Sequence, residues 1–361
     1  MSFEATKREW SELYTFFRLL SDGVVYAGSP QVQKREDACL PIALIQREEH
    51  NGPRKYIVEG EDIHVLGEKI DKVVSREDFG VVADTVLAAM KGSSEDLVLS
   101  PDGVEEFLDK VAIFDLEART DDRTDFYVAF YQVDAPLIGF NVRSRMSAMN
   151  PLLDGGRTAN LKFEQTGIKF ANPMINNVNA LESLDVVAER MLLIERLGGI
   201  LKYSDVADKV FRCNLSMIDL HFPRMIAEML RIMQIDGITK VTELIDRIKE
   251  TNPLKIKEDL IVKHSFYEYK MKQFLLSLAL GMRPAKIYTG EDSAVSGILL
   301  VTGRGEVLCY QKSDKKVFED FLYLNSRLEK GSTEKDKYGY LEKENGAVYF
   351  KLNLKIGLTK R

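Results

Sequence analysis

From Asp125 the chain runs Phe126-Tyr127-Val128-Ala129-Phe130-Tyr131 and, past Asp134-Ala135-Pro136, returns as Leu137 to Met146. The first run is rich in the aromatic and β-branched residues that suit a sheet, and the triplet between supplies turn chemistry. Successive side chains of a strand alternate, so Phe140, Val142 and Ser144 point one way while Asn141, Arg143 and Arg145 point the other. A chain with this stretch at its centre is constrained to a hairpin that is apolar on one face and cationic on the other. Asp125 and the Asn141/Arg143 pair then meet on one face, an arrangement able to hold a divalent metal against a phosphate. The bland reading of the same residues is a plain ion pair on neighbouring strands.

Before this hairpin, Trp10, Leu13, Phe17 and Leu20 recur at helical spacing, predicting a helix from Glu4 to Leu20 that ends at Asp22-Gly23. Glu9 and Glu12 lie beside that apolar stripe. Leu40–Gln46 and Lys55–Glu59 flank Asn51-Gly52, a hairpin signal, and Ile63–Leu66 adds a third strand. Ser75 caps a helix from Arg76 to Met90, and Pro101 to Ala112 forms another. After the hairpin come a strand at Ala159–Phe163 and a long helix over Val178–Leu197. Helices are then expected at Pro223–Gln234, Val241–Glu250 and Ser265–Leu280. From Ala285 the chain turns β-rich, with strands at Gly297–Val301, Val307–Tyr310, Tyr338–Leu341 and Val348–Leu354, interrupted by a helix near Lys315–Leu328.

A net charge of -6 argues against a general polyanion binder, since bulk DNA affinity rises with the phosphates neutralised. It leaves room for a local cationic cleft, and Arg143, Arg145, Arg157, Lys162 and Lys169 gather around the central stretch with few acids between them. The 3 cysteines lack CxxC spacing, and the 4 histidines form no metal-binding pattern. No glycine-rich phosphate loop and no nucleophile elbow appears. Glu268-Tyr269-Lys270 formally matches a Glu-x-Lys triplet, but its surroundings have helical period. No apolar run approaches the roughly 20 residues that span a bilayer. The first residues lack the pattern of a secretory leader, so a reduced cytoplasm is expected.

Several separated strings, in order and nearly end to end, resemble the HpaII family of type II restriction endonucleases. Arg8-Glu9-Trp10-Ser11-Glu12 is similar to the family's opening helix, Thr120 to Asp125 to its Thr-Asp-Lys-Thr-Asp string, and Gly139 to Ser144 to its Gly-Phe-Ser-Ile-Lys-Ser strand. Leu152 to Leu161, Phe266 to Lys270, Ala279 to Met282, Leu308-Cys309-Tyr310 and Lys351 to Leu354 resemble later blocks. The resemblance implies a PD-(D/E)xK nuclease core, a mixed α+β or α/β sheet flanked by helices. A helix over 1–25 would pack on it, followed by an α+β module over 26–117, the core with a helical region over 118–285, and a β-rich region over 286–361.

It further implies Mg²⁺-dependent cleavage of double-stranded DNA at a short palindrome, CCGG in the founding member. A homodimer and a cognate DNA methyltransferase as genetic partner would accompany it, with no membrane. Asp125 stands at the metal-binding aspartate. Asn141 stands where the second carboxylate usually sits, a place the family fills with Ser, and Arg143 stands at its Lys. A neutral amide is a poorer Mg²⁺ ligand than a carboxylate, so Glu9 or Glu12 is expected to complete the site, with Glu9 in a catalytic role and Glu12 on the metal. Guanidinium stays protonated, so Arg143 is expected to act as a fixed charge. Asp154 departs from the family's Asn, and Gln311 from its His. Arg145, Arg157, Asn160 and Lys162 are the side chains expected against DNA. Two other classes compete: a sequence-specific DNA-binding protein with a decayed nuclease site, motivated by Asn141 and Arg143, and a regulatory protein that binds no DNA.

Overall fold

A short strand, β1 (Glu4–Thr6), leads into α1 (Lys7–Asp22) of a computed structural model that describes residues 3–117, 124–131, 136–147, 151–291 and 293–359. The helix starts at Lys7 because Thr6 and Glu9 form a reciprocal capping box: Thr6 Oγ1 accepts the Glu9 N–H, and the Glu9 carboxylate accepts the Thr6 N–H. It ends at Gly23, whose left-handed φ of 63° lets its N–H close on Leu19 O. Strands β2 (Val24–Gly28), β3 (Lys34–Glu49), β4 (Gly52–Glu59), β5 (Asp62–Gly67) and β6 (Ile70–Ser75) follow. Ser75 accepts the Glu77 N–H and caps α2 (Arg76–Gly92), as its sequence predicts. Next come β7 (Leu97–Leu99) and α3 (Val104–Lys110). The expected helix start at Glu4 is corrected here, because Glu4–Thr6 pairs with β7.

The central hairpin is β8 (Phe126–Phe130) and β9 (Ile138–Ser144), antiparallel with Phe126 opposite Phe140. Asp134 and Ala135 of its expected turn, and Thr120 to Arg123 of the preceding string, lie outside the described residues. A strand β10 (Pro151–Asp154), a 3-10 turn at Gly156–Ala159 and β11 (Asn160–Gly167) lead to α4 (Asn172–Asn179) and α5 (Val186–Arg196). The single helix expected over 178–197 is therefore two. Arg190 donates to Asn179 O and Leu181 O, carbonyls that a continuous helix would use, and Ser183 bonds the Asp185 N–H and the Glu189 carboxylate. Then come β12 (Gly199–Val206), α6 (Lys209–Ile218), α7 (Phe222–Asp236), α8 (Val241–Thr251), α9 (Glu258–His264) and α10 (Phe266–Ala279). The chain closes with β13 (Val295–Val301), β14 (Val307–Gln311), α11 (Lys315–Asn325), β15 (Ser326–Glu329), α12 (Thr333–Asp336), β16 (Leu341–Glu344), β17 (Ala347–Asn353) and β18 (Lys355–Leu358). The strand expected at Tyr338–Leu341 begins only at Leu341, because the Tyr338 ring is buried and its hydroxyl donates to Gly331 O at 2.8 Å.

The fold is thus mixed α+β. A 9-stranded sheet has the order β2-β14-β13-β9-β8-β3-β4-β5-β6, antiparallel except at β13–β9 and β14–β2. Because β2 also pairs with β3, strands β2, β14, β13, β9, β8 and β3 close into a barrel-like ring. Helix α1 packs against all of them, with Phe16 edge-on to Phe126 of β8 at 5.9 Å. The ring takes strands from residues 24–49, 126–144 and 295–311, so sheet hydrogen bonds cross the boundaries expected at 117/118 and 285/286.

Two cores share the ring wall. Trp10, Leu13, Phe16, Phe17, Leu19 and Leu20 of α1 sit in the first with Phe140, Val142, Leu299 and Val301. Ile298 and Leu300 face the second, under α7, α8, α10 and the 4-stranded sheet β12-β11-β17-β16. Strand β13 is buried on both sides, which explains its unbroken apolar run. Burying each large α1 side chain contributes about 1.5–3 kcal/mol. Six of them outweigh the several kcal/mol that one buried carboxylate, Glu12, costs on the same helix.

Candidate active site

The hairpin brings the predicted residues together through its backbone. Asp125 lies just before β8, its N–H donating to Phe140 O at 2.9 Å and its Oδ2 accepting the Val142 N–H at 2.6 Å. Main chain and side chain both grip β9, which fixes the carboxyl beside Asn141. The two strands approach closely because Gly139 has no side chain: a Cβ there would lie 2.3 Å from Ala294 O and 2.5 Å from Thr124 Cγ2. Phe140 and Val142 face the first core, leaving Asn141 and Arg143 on the opposite side.

That side opens into a cleft of about 370 Å³ lined by Arg8, Glu12, Glu117, Thr124, Asp125, Asn141, Arg143, Leu152 to Asp154 and Met282 to Pro284. Burial pushes the Asp125 carboxyl up from its ordinary value, opposed by the Val142 N–H, Arg143 and Arg8. Burial likewise pushes Arg143 down to about 10, still far above neutral pH, while Asp125 pulls it up and Arg8 and Arg283 push it down. The Nε of Arg143 is buried and meets no hydrogen-bond partner among the described residues. A cation therefore lines the cleft while its Nε stays buried behind it.

Of the two helix glutamates, the structure places Glu12 in the cleft and Glu9 outside it. Glu9 is held in the capping box, whereas Arg8 and Glu12 share one face of α1 at i,i+4 spacing. Exchanging Glu9 for Ala is expected to cost about 1 kcal/mol of stability, read by urea denaturation. Unchanged stability in E9A would contradict the capping role.

A family profile for HpaII restriction endonuclease matches residues 6–358. The chain belongs to the HpaII restriction endonuclease family. It is 30% identical over 361 residues to the type II restriction enzyme HpaII of Haemophilus parainfluenzae, covering 98% of each chain. No solved structure matches it. Membership makes the chain a site-specific deoxyribonuclease, and its substrate DNA. No helix among the described residues is long and apolar enough to cross a membrane.

Of the side chains expected against the DNA of this nuclease, Arg157, Asn160 and Lys162 lie against residues 335–344, and Arg145 against Asn325. Arg145 turns away from the cleft, its Nη2 donating to Asn325 Oδ1 at 2.8 Å. Asn160 is buried, donating to Asp336 O at 2.8 Å and accepting from Asn353 Nδ2 at 2.8 Å. That engagement holds its side chain within the protein. Lys162 pairs with Glu344 and lies 4.3 Å over the Tyr349 ring. Arg157 is exposed, three residues beyond the cleft-lining Asp154, with only a long contact from its Nε to Lys335 O at 3.4 Å. Exchanging Asn160 for Ala takes a donor from the Asp336 and Lys337 carbonyls and one of two acceptors from Asn353 Nδ2, and is expected to cost about 2 kcal/mol in urea denaturation. The triplet Glu268-Tyr269-Lys270 is structural, Glu268 pairing with Lys249 at 2.6 Å and Lys270 with Asp219 at 3.3 Å.

The cleft also holds charged residues that sequence reasoning assigned no role: Arg8, Glu117, Asp154 and Arg283. Arg8 pairs with Glu117 at 3.3 Å, and Asp154 with Lys355 at 2.7 Å. Only Arg8 carried a usable signal, its helical spacing from Glu12.

Proposed function

We propose that this chain cuts both strands of duplex DNA at a short palindrome, CCGG by its likeness to HpaII, with Mg²⁺ held by Asp125, Asn141 and Glu12. The observation that carries the proposal is that a hairpin aspartate, the amide and guanidinium of the next strand, and a carboxylate from a distant helix all line one cleft. Among the described residues no three His, Cys, Asp or Glu side chains form a metal site by themselves. In this reading the amide oxygen of Asn141, beside Asp125 in the same cleft, completes the donor set. Three hard oxygens suit Mg²⁺, which keeps several of its waters. In this reading β8, β9, β13 and α1 are the working part of a PD-(D/E)xK core.

Asp125, Asn141 and Glu12 would hold Mg²⁺, whose chemistry there would be to lower the pKa of a bound water and offset negative charge on the leaving oxygen. The chain itself does the rest. The Val142 N–H orients Asp125. Arg143, whose side chain lines the cleft, donates to the phosphate oxygens as charge develops on them. Two strands of a palindrome require two such sites related by a two-fold axis, hence a homodimer. A matching DNA methyltransferase protects the host, and the setting is cytoplasmic.

The test is digestion of unmethylated phage DNA with Mg²⁺ and with EDTA, alongside a gel shift. Discrete Mg²⁺-dependent fragments are expected, their ends giving the site. Intact DNA together with a retained shift would favour a DNA-binding protein whose chemistry has been lost at Asn141 and Arg143.

A further inference from the structure

We infer that Arg47, which lies behind the cleft and not in it, is a positioning residue for the metal site: it holds Glu12 and the neighbouring wall of the cleft in register. This rests on reading Glu12 as a metal ligand. Arg47 comes from β3 and its side chain is fully buried. Its Nη2 stands 3.4 Å from Glu12 Oε1 and donates to the carbonyls of Asp115 at 2.7 Å and Leu116 at 2.8 Å, while Nη1 pairs with Glu49. Glu49 Oε2 in turn accepts the N–H groups of Phe114 at 3.0 Å and Asp115 at 2.9 Å. The next residue along, Glu117, lines the cleft and pairs with Arg8. One guanidinium thus ties together Glu12 on α1 and the segment that carries Glu117. A planar fork with five donors can do this, and a lysine ammonium cannot reach all four partners at once.

Of the buried charged groups Glu12, Glu49 and Arg47, only Glu12 opens onto the cleft, and Arg47 keeps its carboxylate from turning away from it.

The test is titration of the DNA-free protein with Mn²⁺ alone, following the free-ion electron paramagnetic resonance signal, with melting temperature recorded in parallel. Exchanging Arg47 for Lys is expected to weaken Mn²⁺ binding about 10- to 100-fold, the range for residues that orient a metal ligand, in the same direction as E12Q. If R47K does not fold, E49Q carries the test: it removes the anion that anchors Arg47 Nη1, loosens the guanidinium behind Glu12 and weakens binding in the same direction. A lower melting temperature with Mn²⁺ affinity unchanged would make Arg47 a structural clamp only and overturn the inference. Unchanged affinity in E12Q with affinity lost in D125N would instead overturn the assignment of Glu12, and the inference with it.

Discussion

Exchanging Asp125 for Asn is expected to lower the DNA cleavage rate by at least about 10³-fold, the upper range for removing a group that stabilises the reaction's charge, while gel-shift affinity persists. The same change is expected to raise the melting temperature of the metal-free protein at neutral pH. Burial holds the folded-state pKa of Asp125 above its ordinary 3.8. Its contribution to stability is therefore complete below 3.8 and is lost as pH rises through the folded value. Above that value the folded protein bears a cost for the charged carboxylate that Asn never incurs, and Asn can still accept the Val142 N–H. The stability gap between the two proteins should close as pH falls towards the ordinary carboxylate range. A D125N protein that cleaves normally, or melts lower at neutral pH, would remove Asp125 from the metal site.

The second large effect is at Arg143. Arg143→Ala is expected to reduce single-turnover cleavage by about 10²–10³-fold, and Arg143→Lys to recover part of that loss. A lysine supplies the charge but not the fork that lets a guanidinium grip two phosphate oxygens. Although burial brings Arg143 down to about 10, it remains protonated at neutral pH, so it serves as a donor and a charge rather than a base. Cleavage by R143A within about threefold of wild type would show that the cation is dispensable.

Much of the local structure was legible because its causes are local. The period-two pattern of Phe140 to Arg143 gives strand β9 its two faces, and Ser75 marks the start of α2. The break between α4 and α5 was not legible, since it depends on Arg190 folding back onto carbonyls nine and eleven residues away. Nor was the ring closure between β2 and β3, or the joining of three distant segments in one sheet, because strand pairing is a long-range choice that no local pattern records. At the site, Asp125, Asn141 and Arg143 were legible because a hairpin makes them neighbours.

The sequence by itself determined the hairpin, its polar face and the family. Only the tertiary structure decided which glutamate lies in the cleft with Asp125, Asn141 and Arg143. Glu9 and Glu12 differ by three positions on one helix, and the choice depends on where α1 lies inside the ring and on Thr6 claiming Glu9 for its cap. The tertiary structure also decided that Asn160 and Arg145 face inward, and that Arg47, silent in the sequence, stands behind Glu12. Each of these is a contact between segments far apart in the chain, set by how the ring closes around α1 rather than by any residue's own preference.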